Sequence, residues 1–110
     1  MRELLWVNGR ILSPHEPAIS GRDAGFLFAE GCYETLRVYG GRCYLWPEHI
    51  RRLMRGLQAL HIPHRDMPAR LERAARALIR AARAREAALR IVVSRGPAWP
   101  EAPRTGRSSP

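Results

Sequence analysis

Apolar and polar residues alternate in some parts of the chain and recur at helical spacing in others, so the sequence predicts both strands and helices. Two short apolar runs, residues 4–7 and 10–12, are joined by an Asn-Gly dipeptide, which favours the two-residue turn of a β-hairpin. We therefore expect the chain to begin with a hairpin. A proline-containing loop follows, and the apolar, glycine-bracketed residues 25–31 are predicted to form either one helical turn or a buried loop.

Residues 32–39 alternate between two faces and are rich in strand-forming side chains, which predicts a strand. A glycine pair then turns the chain into a partner strand over residues 42–45. In this hairpin Cys43 would lie opposite Val38, and Cys32 would be several residues out of register. We therefore expect two buried, reduced thiols and no disulfide.

Helical spacing of apolar side chains continues through most of the remaining chain. The first helix is predicted to begin at Pro47, which suits a first turn, and to end near Pro63. The second follows Asp66, the expected N-cap, and has one apolar stripe with arginines covering much of its other surface. Residues 89–94 form the last predicted strand.

These elements follow in the order β-β-loop-β-β-α-α-β. The order predicts an α+β fold in which two helices cover a small, mostly antiparallel sheet. Residues 1–96 would make up this one domain. Residues 97–110 contain four prolines and few apolar side chains, so we expect a disordered tail.

All 19 basic residues are arginines, and together with ten acidic residues they give a formal net charge of +9. Such a charge favours anionic partners. The lack of lysine matters more, because arginine neither forms a Schiff base nor releases a proton near neutral pH. Amine-based covalent catalysis is therefore excluded for this chain. We see no signal peptide and no apolar run of membrane-spanning length, so we expect a cytoplasmic protein.

Three blocks of the sequence resemble the motifs of one enzyme family. Residues 23–39 are similar to the signature of the class IV (fold type IV) pyridoxal-phosphate enzymes, which include branched-chain and D-amino-acid aminotransferases and aminodeoxychorismate lyases. Residues 48–53 match the family's E-H-x-x-R-L helix start, and residues 90–96 resemble the strand that closes its small N-terminal domain. The blocks occur in the family's order and spacing, and the resemblance extends over about residues 5–96.

The resemblance implies where a site would lie. Arg52 would bind the 5′-phosphate of pyridoxal phosphate, and Tyr33, Thr35 and Arg37 would line the substrate pocket from one face of their strand. Judged by spacing alone, Arg52 is instead a solvated helix-face arginine, and the strand face is a partly exposed sheet surface. His49 is expected to pack or cap within its own helix, and no metal site is expected.

Some positions depart from the family pattern. Ala24, Ala29 and Glu30 replace the usual arginine, glycine and aspartate of the signature. The R-x-H pair that holds the substrate carboxylate in D-amino-acid enzymes has no match after Gly96. We therefore favour transamination of a branched-chain-like amino acid, and aminodeoxychorismate lyase chemistry remains an alternative that fits the same strand.

The resemblance also implies partners. Family members carry the Schiff-base lysine and the acid that pairs with the pyridine nitrogen in a larger second domain, and they are typically homodimers. We expect this chain to be the N-terminal part of such an enzyme, without a catalytic residue of its own and inactive alone. Two other interpretations stay open: an arginine-rich, non-catalytic module that binds nucleic acid or another polyanion, and a chain that folds only beside a full-length subunit.

Overall fold

The computed structural model describes residues 1–98 and confirms the predicted α+β class. Its elements, in chain order, are β1 (Leu5–Val7), β2 (Arg10–Leu12), α1 (Ala24–Phe28), β3 (Gly31–Tyr39), β4 (Arg42–Cys43), α2 (Trp46–Ala59), α3 (Met67–Ala82) and β5 (Ala87–Ser94). All predicted strands and helices are present, with ends that differ by a few residues. Most of the predicted tail, residues 99–110, lies outside the described residues.

The strands form two antiparallel sheets where we expected one. β1 and β2 pair across a turn at Asn8 and Gly9, whose φ angles of 48° and 95° are those that the dipeptide supplies. The other sheet has the order β4-β3-β5, and in it Cys43 pairs with Val38 as predicted. The β1–β2 hairpin forms a sheet of its own, and β1 contacts α3.

The hydrophobic core lies between the inner face of the three-stranded sheet and helices α2 and α3. Its buried members are Leu36, Val38, Ile50, Leu53, Leu57, Ile62, Leu71, Ala75, Leu89 and Ile91. Alternation along the strands and helical spacing along α2 and α3 direct these side chains into one interior. Cys32 and Cys43 are free thiols, partly buried against this core, and burial raises the pKa of Cys43.

Local backbone chemistry accounts for the helix ends. Pro47 lies in the first turn of α2, where a missing N–H loses no intrahelical bond. Asp66 does precede α3, but it has a φ of 60° and its side chain makes no capping hydrogen bond, so the predicted capping role was wrong. Arg83 ends α3 in the left-handed conformation, and its backbone N–H donates to the carbonyl of Arg80.

Residues 25–31, predicted as a helical turn or a buried loop, contribute to the short helix α1. The Asp23 carboxylate caps this helix by accepting the backbone N–H of Phe26 at 3.1 Å. Phe26 and Phe28 are both exposed, so the buried-loop alternative was wrong. A side chain at Gly25 would not fit, because its Cβ would lie 2.7 Å from Cβ of Ser94.

Candidate functional site

Among residues 1–98, Glu34 is the only charged residue that is buried, with 4% exposure. Strand alternation places it between Cys32 and Leu36 on the inner face of β3, against α2. A carboxylate in such a position is costly unless cations and hydrogen bonds compensate for the lost water. Its partners therefore define a polar site inside an otherwise apolar layer.

Two side chains of α2 supply that compensation. The Arg52 guanidinium donates from Nε to Glu34 Oε2 at 2.8 Å and from Nη2 to Oε1 at 2.7 Å, a bidentate ion pair. His49 Nδ1 lies 2.7 Å from Glu34 Oε1. His49 and Arg52 are three residues apart, so they share one helix face. We call Glu34, His49 and Arg52 the carboxylate cluster.

The electrostatics of the carboxylate cluster fix its protonation. The hydrogen bond from Arg52 is the largest influence on Glu34 and, with the smaller contribution of His49, outweighs burial and lowers the pKa of Glu34 to about 2. The same contact raises the pKa of Arg52. An ionised carboxylate can only accept hydrogen bonds, so the proton shared between Glu34 and His49 belongs to Nδ1 of the imidazole.

Arg52 combines a fixed inner edge with an accessible outer part. Its side chain is 66% exposed although the carboxylate that it binds is buried. A guanidinium has about five N–H donors, and the Glu34 pair uses only two of them, so others remain for an anion from solvent. Arg52 is therefore an anchored arginine and not the freely solvated one that its helical spacing alone suggested.

Tyr33, Thr35 and Arg37 lie on the opposite, outer face of β3, where all three are exposed. The structure adds Arg90 of β5 to this group. Arg90 pairs in register with Thr35, and its guanidinium carbon lies 4.2 Å from the centre of the Tyr33 ring. We call these four residues the outer-face group. Within this chain, β3 separates them from the carboxylate cluster.

Arg95, the first residue after β5, has structural contacts. Its Nε donates to Glu30 at 2.7 Å, and its Nη2 donates at 2.6 Å to the carbonyl of Leu60, just beyond the C-terminal end of α2. Nearby, Ser94 donates to the Asp23 carboxylate at 2.5 Å. These contacts tie the end of β5 to the segment around α1 and to α2.

The chain continues along the same segment after β5. Pro97 forms an isolated bridge with Asp23, and the Ala98 N–H donates to the carbonyl of Arg22 at 2.8 Å. The segment that precedes α1 therefore pairs with the residues that immediately follow β5.

Sequence reasoning did not select three of these residues. Glu34 carried a signal, because it is a charged residue at an inward position of a predicted strand. His49 bonds to another element, so the expectation that it packs or caps within its own helix was wrong. For Arg90 the sequence offered only the alternation of its strand, which indicates an outward-facing side chain. Its contact with Tyr33 depends on the register between β5 and β3.

Residues 1–98 contain neither a metal-binding cluster nor a membrane-spanning helix. No group of three or more His, Cys, Asp or Glu side chains in this range is arranged to hold a metal ion. None of the helices in this range has both the length and the apolar character to cross a bilayer.

Comparison with known proteins identifies the family. The family model described as amino-transferase class IV matches residues 31–108, well over half of the chain. The chain therefore belongs to the class IV aminotransferases, as its motifs suggested.

Two curated relatives and one solved structure illustrate the similarity. A D-alanine aminotransferase of Staphylococcus aureus (strain N315) is 40% identical over 53 residues, which are 48% of this chain and 19% of that protein. A bifunctional aminodeoxychorismate lyase / D-amino acid transaminase of Mycobacterium tuberculosis is 34% identical over 107 residues, 94% of this chain and 34% of that protein.

The solved structure is a hypothetical aminotransferase from Mycobacterium tuberculosis in its PLP-bound form. It superposes on this chain with a TM-score of 0.72 at 32% identity. The match covers 93% of this chain and 34% of the solved one. The chain thus spans about a third of the length of the Mycobacterium tuberculosis proteins. The relatives' names include D-alanine aminotransferase and aminodeoxychorismate lyase, and neither name refers to branched-chain substrates.

Proposed function

We propose that this chain is the small-domain part of a pyridoxal-phosphate-dependent class IV site, in which Arg52 holds the 5′-phosphate of the cofactor. The observation that supports this most directly is the geometry of Arg52: its inner edge is fixed by a bidentate ion pair with Glu34, and 66% of its side chain is exposed. Phosphate oxygens suit the planar guanidinium fork, because they accept charge-assisted bonds from it in pairs.

The bound cofactor would supply an electron sink for reactions at the substrate's α-carbon. The sequence contains no lysine, so the amine that attaches the cofactor would come from elsewhere in the complete site. The role of this chain would be to bind the cofactor phosphate and to form one wall of the substrate pocket. We therefore propose that residues 1–110 alone have no transaminase activity.

For the substrate side we propose the outer-face group. Arg37 and Arg90 place two cations on the exposed face of the sheet, suited to a substrate carboxylate, and Tyr33 and Thr35 add hydroxyl groups. Amino-group transfer between an amino acid and a keto acid is the reaction that we favour. The branched-chain preference stays a prediction, as do a cytoplasmic location and a homodimer.

Aminodeoxychorismate lysis is a second candidate. It is supported by the Mycobacterium tuberculosis relative, which matches 94% of this chain and is named for both the lyase and the transaminase reactions. The third interpretation, a polyanion-binding module, has less support from the contacts. Two arginines of α3 already have partners within the chain, because Arg76 pairs with Glu72 at 2.9 Å and Arg70 lies over the Trp6 ring.

Phosphate binding can be measured by isothermal titration calorimetry on the 110-residue chain. Pyridoxal 5′-phosphate and inorganic phosphate should both bind, whereas pyridoxal without its phosphate should not. Arg52→Gln should weaken both interactions about tenfold or more, since charge-assisted hydrogen bonds are lost. Arg51→Gln is the matched control, an exposed arginine on the same helix. Equal phosphate affinity in the wild type and Arg52→Gln would contradict the assignment.

The reaction class needs a complete enzyme. Residues 1–96 could replace the matching segment of the Mycobacterium tuberculosis relative, which supplies the rest of the site. The chimera would be assayed with D-alanine, with a branched-chain amino acid and with aminodeoxychorismate. Transamination should exceed lysis, and the amino acid used fastest would indicate the specificity that the outer-face group favours. A chimera that only lyses aminodeoxychorismate would replace our first candidate by the second.

A further inference from the structure

We infer that Glu34 and His49 are positioning residues, which hold the Arg52 guanidinium in the orientation that receives the phosphate. This inference rests on the proposed phosphate-binding role of Arg52. It assigns a function to a buried carboxylate and an imidazole that would otherwise be only structural. Neither residue needs to touch the cofactor, because both act through Arg52.

The ion pair with Glu34 restricts the Arg52 side chain before any anion binds. An exposed arginine on a helix has many rotamers, and an anion that binds it must restrict them at an entropic cost. Here the bonds from Nε and Nη2 to the two oxygens of Glu34 fix both the position and the plane of the guanidinium. The restriction is therefore already in place before an anion arrives.

Glu34 is itself held in place by its strand and by His49. Its backbone lies in β3 and pairs with Ile91 of β5, in the middle of the ladder that joins Gly31–Val38 to Ala87–Ser94. Its side chain is buried, and His49 donates to Oε1, the oxygen that also accepts from Arg52 Nη2. Through these contacts the orientation of Arg52 is set by a buried side chain whose backbone is held in the β3–β5 ladder.

Geometry and charge predict opposite effects of losing Glu34 on phosphate binding. A carboxylate beside Arg52 neutralises the cation and repels an incoming anion, so on charge alone the loss of Glu34 should strengthen phosphate binding. If positioning dominates, the loss of Glu34 should weaken it. The neutral and nearly isosteric variant Glu34→Gln therefore separates the two effects by the sign of the change.

The test is calorimetric titration of the 110-residue chain with inorganic phosphate and with pyridoxal 5′-phosphate. We expect Glu34→Gln to weaken both about two- to tenfold, the cost of ordering one long side chain on binding. His49→Leu should weaken them in the same direction, whereas His49→Gln should stay near the wild type, because its amide can still donate to Glu34. Glu72→Gln, which breaks the exposed pair with Arg76, is the control and should change nothing.

A second readout needs no ligand. In the wild type the Arg52 Nε–H should give a slowly exchanging NMR signal, assigned by its loss in Arg52→Gln. That signal should disappear in Glu34→Gln and weaken in His49→Leu. This signal reports whether Glu34 and His49 order the guanidinium, and the phosphate titration reports whether that order serves anion binding.

The outcomes separate the inference from the proposed function. If the wild type binds phosphate through Arg52 and Glu34→Gln binds it equally or more tightly, positioning is wrong while the phosphate site stands. If the wild type does not bind phosphate, the proposed function fails, and the Arg52 signal alone decides whether Glu34 orders the side chain. If Glu34→Gln does not fold, the comparison of His49→Leu with His49→Gln decides, and equal phosphate affinity in these two overturns the inference.

Discussion

The ionisation of Glu34 provides a quantitative test of the carboxylate cluster. Burial opposes a charged carboxylate, yet the hydrogen bond from Arg52, aided by His49, lowers the pKa of Glu34 from 4.5 to about 2. The perturbation is Arg52→Gln, which removes the contact that lowers the pKa of Glu34 most. The substituted side chain is 66% exposed, so the change itself disturbs little packing. We expect the pKa of Glu34 to rise towards 4.5 in this variant.

The sign and size of the stability effect follow from linkage. Because the pKa of Glu34 is lower in the folded chain, its contribution is fully present above the unfolded value and is lost as the pH falls from 4.5 to about 2. The shift corresponds to at most about 3 kcal/mol. Solvent screens the exposed side of the cluster, so we expect about 1–2 kcal/mol from ionised Glu34.

The assay is an NMR titration of the side-chain carboxyl carbon of Glu34. It is paired with the free energy of urea unfolding, measured at a series of pH values from about 7 down to about 2. In the wild type the free energy of unfolding should fall across the pH window given above. In Arg52→Gln that fall should be much smaller, and Arg51→Gln should match the wild type. An ordinary pKa for Glu34 in the wild type, or an unchanged one in Arg52→Gln, would refute the reasoning.

Three further predictions concern stability and can be checked by denaturant unfolding. Leu57→Ala, at a site with 0% exposure, should cost about 2–5 kcal/mol through the cavity that it leaves; a cost below about 0.5 kcal/mol, the size of a surface effect, would place Leu57 outside the core. Gly31→Ala should destabilise strongly, because the new Cβ would lie 2.6 Å from the backbone oxygen of Val93; tolerance would argue against the close β3–β5 approach. Asp23→Ala should cost about 1–2 kcal/mol, because it removes both the α1 cap and the bond from Ser94; an unchanged free energy of unfolding would exclude both contacts.

Much of the fold followed from local patterns. Alternation over β3 and helical spacing over α2 and α3 are properties of neighbouring residues, and each predicted the correct element. The Asn8-Gly9 turn was predictable because the dipeptide supplies its own backbone conformation. Asp66 shows the limit of such reasoning, since residue type indicated a cap but the backbone at φ 60° left the carboxylate without a capping bond.

The candidate site was only partly predictable. Arg52 was selected because its motif resembles that of a known family, and Tyr33, Thr35 and Arg37 were placed together by strand alternation. Each of these assignments used spacing within a single element, either β3 or α2. The local patterns did not link Arg52 to Glu34, which lies 18 positions earlier in the chain.

The sequence by itself determined the elements, the family motifs and the absence of lysine, because these depend on residue identity and short-range spacing. The tertiary structure decided which residues meet. It packed α2 on the inner face of β3, so that a buried carboxylate had to take Arg52 and His49 as its partners. It also brought Arg90 to Tyr33 through the register of β5 on β3. Such contacts depend on how distant segments pair and pack, which local spacing does not specify.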